Sequence, residues 1–173
     1  MDESFYPPPD WEALADVGGR LEGSLDAAHF DRRLAEALAM ERAEGRVDYA
    51  FDLQRLANGP IAVSGRLHAA LIARCQRCLE PFELAVELAP RLAFSPAGTA
   101  PVPGEDWEGI GDGLPSSLVA MIEEELLLGL PFAPRHPRGE CPVSTSMSTP
   151  KADTQRPFAG LAEALKTRRD RGG

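Results

Sequence analysis

Between Val47 and Leu88 the chain alternates apolar and polar residues with a period of two, in three runs separated by short breaks. Val47, Tyr49, Phe51 and Leu53 alternate with polar or small residues. After Asn58-Gly59-Pro60, Ile61, Val63, Leu67, Leu71 and Ala73 share one face, with Ser64, Arg66, His68 and Arg74 on the other. Phe82, Leu84, Val86 and Leu88 then alternate with Glu83, Ala85 and Glu87, and the run extends past Pro90 through Leu92 to Phe94. Successive side chains of a strand point to opposite faces, so each run predicts a half-buried strand. Parallel neighbours would need long crossovers that the short breaks do not supply, and the runs therefore predict an antiparallel meander. A shorter alternating run, GGRLEGSL, precedes them.

Two helices complete the expected core. Asp26 as an N-cap, Phe30, Leu34 and Leu38 at four-residue spacing, and Gly45 as a stop predict a helix near 27–44. Pro115-Ser116-Ser117 open a second, near 116–130, whose stripe of Leu118, Ile122, Leu126 and Leu130 is interrupted by Glu123, Glu124 and Glu125 and ends at Pro131. The stretch SPAGTAPVPGEDWEGIGDG between sheet and helix reads as a loop. The fold class expected is α+β: an antiparallel β-meander packed against two helices, with a Cys-x-x-Cys hairpin tip and a tethered C-terminal amphipathic helix. Residues 1–14 read as a flexible N-terminal tail, 15–143 as the core domain and 144–156 as a disordered linker. Residues 157–173 read as a basic helix and tail, with Phe158, Leu161 and Leu165 on one side.

At 173 residues and 43% hydrophobic content the chain suits one core, not two full-sized domains. No apolar run approaches the ~20 residues of a membrane span, and the acidic, Pro-rich start MDESFYPPPDWEAL is unlike a secretory signal, so a cytoplasmic protein is expected. The net charge of −9 is unevenly spread. Residues 151–173 hold six basic against three acidic side chains, and the first 150 hold twelve against 24, a body of −12. Such a body matches a basic protein partner, or RNA only through a local positive patch.

Chemistry concentrates in four residues. Cys75 and Cys78 form a Cys-x-x-Cys in RCQRCLEPF, and His136 and Cys141 lie in RHPRGEC. The first pair falls on the turn between two strands, with no helix following, which is the setting of a zinc knuckle and not of a thioredoxin-like motif at a helix N-terminus. Zinc takes four tetrahedral nitrogen or sulfur ligands, and a Cys3His set would be closed and structural. Metal-free buried cysteines and a redox pair stand as the other readings. Arg74, Arg77, Arg135 and Arg138 flank these ligands and either contact phosphate or pair with Glu80, Glu83 or Glu140; Lys166, Arg168 and Arg169 add a basic C-terminal end. Glu123, Glu124 and Glu125 form either a solvated face, a partner for the arginines, or an acidic landing site for a basic protein. They splay around a helix and cannot converge on one ion. No Ser-His-Asp order, phosphate-cradling glycine loop or nucleotide fingerprint is visible, so no enzyme is expected.

C-Q-R-C-L-E-P-F between two strands, I-E-E-E-L-L-L-G-L-P-F-A-P-R-H followed by Cys141, and a C-terminal P-F-A-G-L-A-E-A-L-K together resemble the YceD family, the large ribosomal RNA subunit accumulation proteins of bacteria and plastids. The resemblance covers roughly residues 15–169. It implies a role in synthesis, processing or stability of large-subunit (23S) ribosomal RNA, typically from a gene beside one for a large-subunit ribosomal protein. The expected partner is that RNA or its precursor, contacted directly or through a basic ribosomal protein, with no membrane and no small-molecule substrate. Two alternatives come from other classes: an acidic escort of a basic large-subunit ribosomal protein, and a thiol oxidoreductase using Cys75 and Cys78.

Overall fold

A computed structural model of the chain describes residues 9–57, 59–95 and 107–141. Its sheet is built on the longest strand, β3 (Ile61–Arg74). β2 (Gly45–Arg55) pairs antiparallel along one side of it, placing Phe51 opposite Gly65 and Leu53 opposite Val63, and β1 (Arg20–Asp26) adds to β2. Along the other side β4 (Pro81–Leu88) and β5 (Arg91–Ser95) lie end to end in one register, with Leu67 facing Leu88 and Ser64 facing Arg91. Between them is Pro90, which has no N–H to donate to the ladder. Its carbonyl still accepts from the Gly65 N–H at 3.2 Å. The alternation expected to run past Pro90 to Phe94 is therefore present as two collinear strands.

The loop expected over residues 95–113 needs correction. Glu108–Asp112 forms β6, parallel to β5, with a register shift between Ala93 and Ser95. Its sequence, EGIGD, holds a single large apolar residue, too few for a period of two to show. Residues 96–106 lie outside the described residues, as does Asn58.

The odd-numbered residues of β2 and β3 face the core. Val47, Phe51, Leu53, Ile61, Val63, Leu67 and Leu71 are all buried, while Arg66, His68 and Arg74 on the opposite face are exposed. β2 and β3 approach closely at Gly65, where a Cβ would stand 2.0 Å from the Ala50 carbonyl oxygen and 2.8 Å from the Phe51 Cα. No side chain fits there.

Among the described residues three α-helices pack on the core. α3 (Leu118–Gly129) is capped by Ser117, whose hydroxyl accepts from the Ala120 N–H at 3.0 Å, and it buries Leu118, Met121, Ile122 and Leu126. The helix expected over 27–44 is much shorter. Asp26 caps a 3-10 turn at Ala27–His29, the chain extends at Phe30, Asp31 starts α2 (Arg32–Ala37), and Ala39 turns it away at φ 56°. Two aspartates that each accept a local N–H split the stretch into two starts, which i,i+4 spacing alone does not reveal. Phe30, Leu34 and Leu38 are nonetheless buried.

The N-terminal tail expected over 1–14 is also corrected. α1 (Trp11–Asp16) starts at an Asp10 cap, and Trp11 is buried, its ring 6.4 Å from that of Phe94 and its Nε1 donating to the Pro115 carbonyl at 3.1 Å. Residues 1–8 lie outside the described residues. The division between the two units of the chain falls after Cys141. The linker expected at 144–156 and the C-terminal helix, with Phe158, Leu161 and Leu165, lie outside the described residues.

Candidate metal centre

The β3–β4 hairpin turns through Cys75–Glu80. The Cys75 N–H donates to the Glu80 carbonyl at 2.9 Å, and the Leu79 N–H donates back to the Cys75 carbonyl at 2.9 Å. Leu79 closes this turn at φ 66°, a left-handed conformation that costs a non-glycine residue roughly 1 kcal/mol. Arg74 supports the tip from below, donating to the carbonyls of Ala39 at 3.3 Å and Leu79 at 2.9 Å. The Pro-rich return after α3 docks on the same turn: the Gln76 N–H donates to the Pro134 carbonyl at 2.8 Å, and the His136 ring lies over Phe82 with centroids 4.7 Å apart. Phe82 is half-buried against the core from β4, as expected, and its ring packs against the imidazole at a tilt of 34°.

These two segments bring Cys75, Cys78, His136 and Cys141 together, with one ligand atom from each, all within 4.8 Å of one another. Cys75 Sγ is 3.8 Å from Cys141 Sγ, and His136 Nδ1 is 3.4 Å from Cys78 Sγ and 3.7 Å from Cys141 Sγ. Zinc bonds of about 2.3 Å to sulfur and about 2.0–2.1 Å to nitrogen give tetrahedron edges of roughly 3.8 Å between sulfurs and roughly 3.5 Å between sulfur and nitrogen. The three edges given above are of that size, in a set whose four atoms lie within 4.8 Å of one another. A Cys3His donor set supplies soft sulfur and borderline imidazole, the combination suited to zinc and poorly suited to magnesium or calcium.

The electrostatics favour thiolate at the deepest ligand. Burial alone raises the Cys75 thiol, but backbone hydrogen bonds from Cys78, His136 and Arg77 outweigh it and hold the thiol down at about 5. The Arg77 N–H approaches Cys75 Sγ at 3.4 Å. Cys78 moves the other way, pushed up first by burial and then by the neighbouring sulfurs of Cys141 and Cys75. Three thiols crowded together resist losing all their protons unless a cation joins them. Arg77 provides part of that charge, its Nε donating to Cys141 Sγ at 2.9 Å.

The other expected site residues are dispersed. Arg74 is committed to backbone carbonyls and Arg77 to Cys141, whereas Arg135 and Arg138 are exposed. Among the described residues none of the four forms an ion pair with Glu80, Glu83 or Glu140. Lys166, Arg168 and Arg169 lie outside the described residues.

The acidic face over Glu123, Glu124 and Glu125 is corrected: Glu123 and Glu125 are buried. Glu123 Oε1 accepts from the Asp31 N–H at 3.0 Å, and Glu124 takes a forked pair of bonds from Arg33 at 2.6 and 3.3 Å. Burial raises the Glu123 carboxyl above its ordinary range, and the Arg33 hydrogen bond lowers that of Glu124. Sequence reasoning missed Phe132, which is fully exposed in the return between α3 and the candidate ligand His136 and belongs to neither a helical stripe nor a strand alternation.

Residues 63–165 match the family described as Large ribosomal RNA subunit accumulation protein YceD, a span that includes all four candidate ligands. A protein of Haemophilus influenzae named Large ribosomal RNA subunit accumulation protein YceD is 27% identical over 157 residues, covering 79% of this chain and 82% of that protein. No solved structure matches the chain. With three-fifths of its length inside the matched span, which contains all four candidate ligands, the chain belongs to the YceD family.

Proposed function

We propose that the chain is a non-enzymatic ribosome-biogenesis factor of the cytoplasm, supporting accumulation of large-subunit ribosomal RNA, and that Cys75, Cys78, His136 and Cys141 hold a structural zinc ion. The family match carries this reading, since it spans both halves of the centre. Four protein ligands fill a zinc tetrahedron and leave no open position for a reacting group. The ion would tie the Pro-rich return to the hairpin, and Arg135 and Arg138 would present their charges from that clamped segment to RNA phosphate. Among the described residues no helix is long and apolar enough to cross a membrane.

The test is restoration. In a bacterium deleted for its own relative, expression of this chain should return the 23S to 16S ribosomal RNA ratio to normal. No change in that ratio would overturn the reading.

The second reading, thiol oxidoreduction through Cys75 and Cys78, requires a thiolate that a substrate can reach. Against it, Cys75 is fully buried. Alkylation separates the two. A metal clamp keeps all three thiols inert until a chelator is added, whereas an oxidoreductase reacts at once through one thiol.

A further inference from the structure

Among the described residues the exposed large hydrophobic side chains are Val17, Leu79, Leu128 and Phe132. Leu79 lies on the hairpin turn, Leu128 in the last turn of α3, and Phe132 in the return that follows it. Phe132 is the extreme case, a whole aromatic ring in solvent. Next to it opens a groove of about 480 Å³, whose lining includes Leu127, Leu130 and Pro134, with Gln76, the carboxylate-bearing Glu36 and Phe132 itself. Three and six residues further on, Arg135 and Arg138 are exposed with no ion pair among the described residues, in a chain of net charge −9.

We infer that Phe132, the groove beside it, and Arg135 with Arg138 form a binding surface for single-stranded RNA; this deepens the ribosomal RNA reading above and rests on it. An exposed aromatic ring offers a platform on which any base can stack, and arginines spaced along the adjoining segment match phosphates of the same strand. The groove accepts an unstacked base, and Gln76 at its wall provides an amide for a base edge. A duplex keeps its bases stacked inside and cannot use Phe132, so the surface discriminates for strands and loops. Stiffness comes from the chain itself. Prolines 131, 134 and 137 bracket Phe132 and Arg135, and the Gln76–Pro134 hydrogen bond with the His136 ligand fixes the segment to the hairpin. A pre-ordered segment loses less entropy on binding.

The test uses the full, zinc-loaded chain and a fluorescein-labelled single-stranded RNA of about 12 nucleotides, followed by anisotropy, with the same sequence as a duplex for comparison. The single strand should bind better than the duplex. Phe132→Ala should weaken single-strand binding about tenfold, and the Arg135→Ala/Arg138→Ala pair should lower the slope of log affinity against log salt by about 1.4. These side chains are exposed, so circular dichroism should be unchanged in both variants. Equal binding of strand and duplex, no binding, or unchanged binding by Phe132→Ala would overturn the inference. So would a protein partner that stays captured after nuclease treatment and is lost with Phe132→Ala. If the wild-type chain restores 23S levels in the deletion strain yet binds no single strand, this inference alone fails. If it restores nothing, the functional reading fails whatever the binding result.

Discussion

The guanidinium of Arg77 donates from Nε to the Sγ of Cys141 at 2.9 Å, joining the middle of the Cys-x-x-Cys turn to the last ligand of the Pro-rich return. The bond does two things at once. It neutralises part of the charge that three thiolates bring together, and Cys141 draws the guanidinium still further toward its protonated form. It also fixes the last ligand of that irregular return.

Removing that bond should weaken the metal and spare the fold. Arg77→Ala should lower zinc affinity by about tenfold or more, the range seen when an outer partner of a metal ligand is lost. Arg77→Lys, which keeps the charge but not the planar donor, should recover part of it. Competition with a chromophoric chelator measures both. Equal affinity in all three proteins would reduce Arg77 to a surface residue.

Glu123 predicts a pH-dependent gain in stability. Its carboxyl is raised by burial, against the opposing hydrogen bond from the Asp31 N–H, with Asp31, Arg33 and Glu124 as the charged neighbours. A raised carboxyl favours the protonated folded state. The stability linked to it is present below the unfolded value of about 4.3 and is lost as pH rises through the folded value, so ionised Glu123 is a cost at neutral pH. Glu123→Gln keeps an acceptor for Asp31 and removes that cost. Its melting temperature at pH 7 should exceed wild type by about a degree or two, and the advantage should shrink as pH falls toward 4. A lower melting temperature at pH 7 would mean that the ionised hydrogen bond outweighs its burial.

How much of this was legible in the sequence differs by interaction range. Val47, Phe51, Val63 and Leu71 announce their strands, because sheet burial alternates residue by residue and each run carries its own pattern. The hairpin placement of Cys75 and Cys78 followed from those flanks. Glu123 could not be read the same way. Its partner, the Asp31 N–H, lies 92 residues upstream, and nothing in Glu-Glu-Glu distinguishes the carboxylate that turns inward. The end of α2 was hidden for a similar reason. Ala39 takes a left-handed conformation and its carbonyl is held by Arg74 from across the sheet, a tertiary contact that overrides the helical spacing of Phe30, Leu34 and Leu38.

Trp11 sits in a stretch whose sequence suggested a tail, yet it is buried and hydrogen-bonded to Pro115. Trp11→Ala should cost on the order of 3–5 kcal/mol, and Trp11→Phe, which keeps the ring against Phe94 and loses the Nε1 bond, should cost less. Urea unfolding midpoints rank the two. A negligible effect of Trp11→Ala would show that α1 is not part of the cooperative core.

The Arg33–Glu124 pair is half-exposed, at 56% and 55%, so solvent screening keeps its contribution small despite the forked geometry. A double-mutant cycle with Arg33→Ala and Glu124→Ala should give only a small coupling at neutral pH, falling further in 1 M salt. Arg33 lowers the Glu124 carboxyl, so the coupling is present above the ordinary carboxylate range and fades as pH falls through the lowered value. A coupling that survives high salt unchanged would contradict a solvent-screened pair.

The clamp itself is tested most directly by counting zinc ions per chain with native mass spectrometry, on tag-free protein purified without chelator. One ion per chain is predicted for wild type. Cys75→Ser should lose it, together with several degrees of melting temperature, because the ion's binding free energy is part of the folding free energy. A folded wild-type chain that binds no zinc when it is supplied, or a Cys75→Ser chain with unchanged zinc and unchanged stability, would contradict the account.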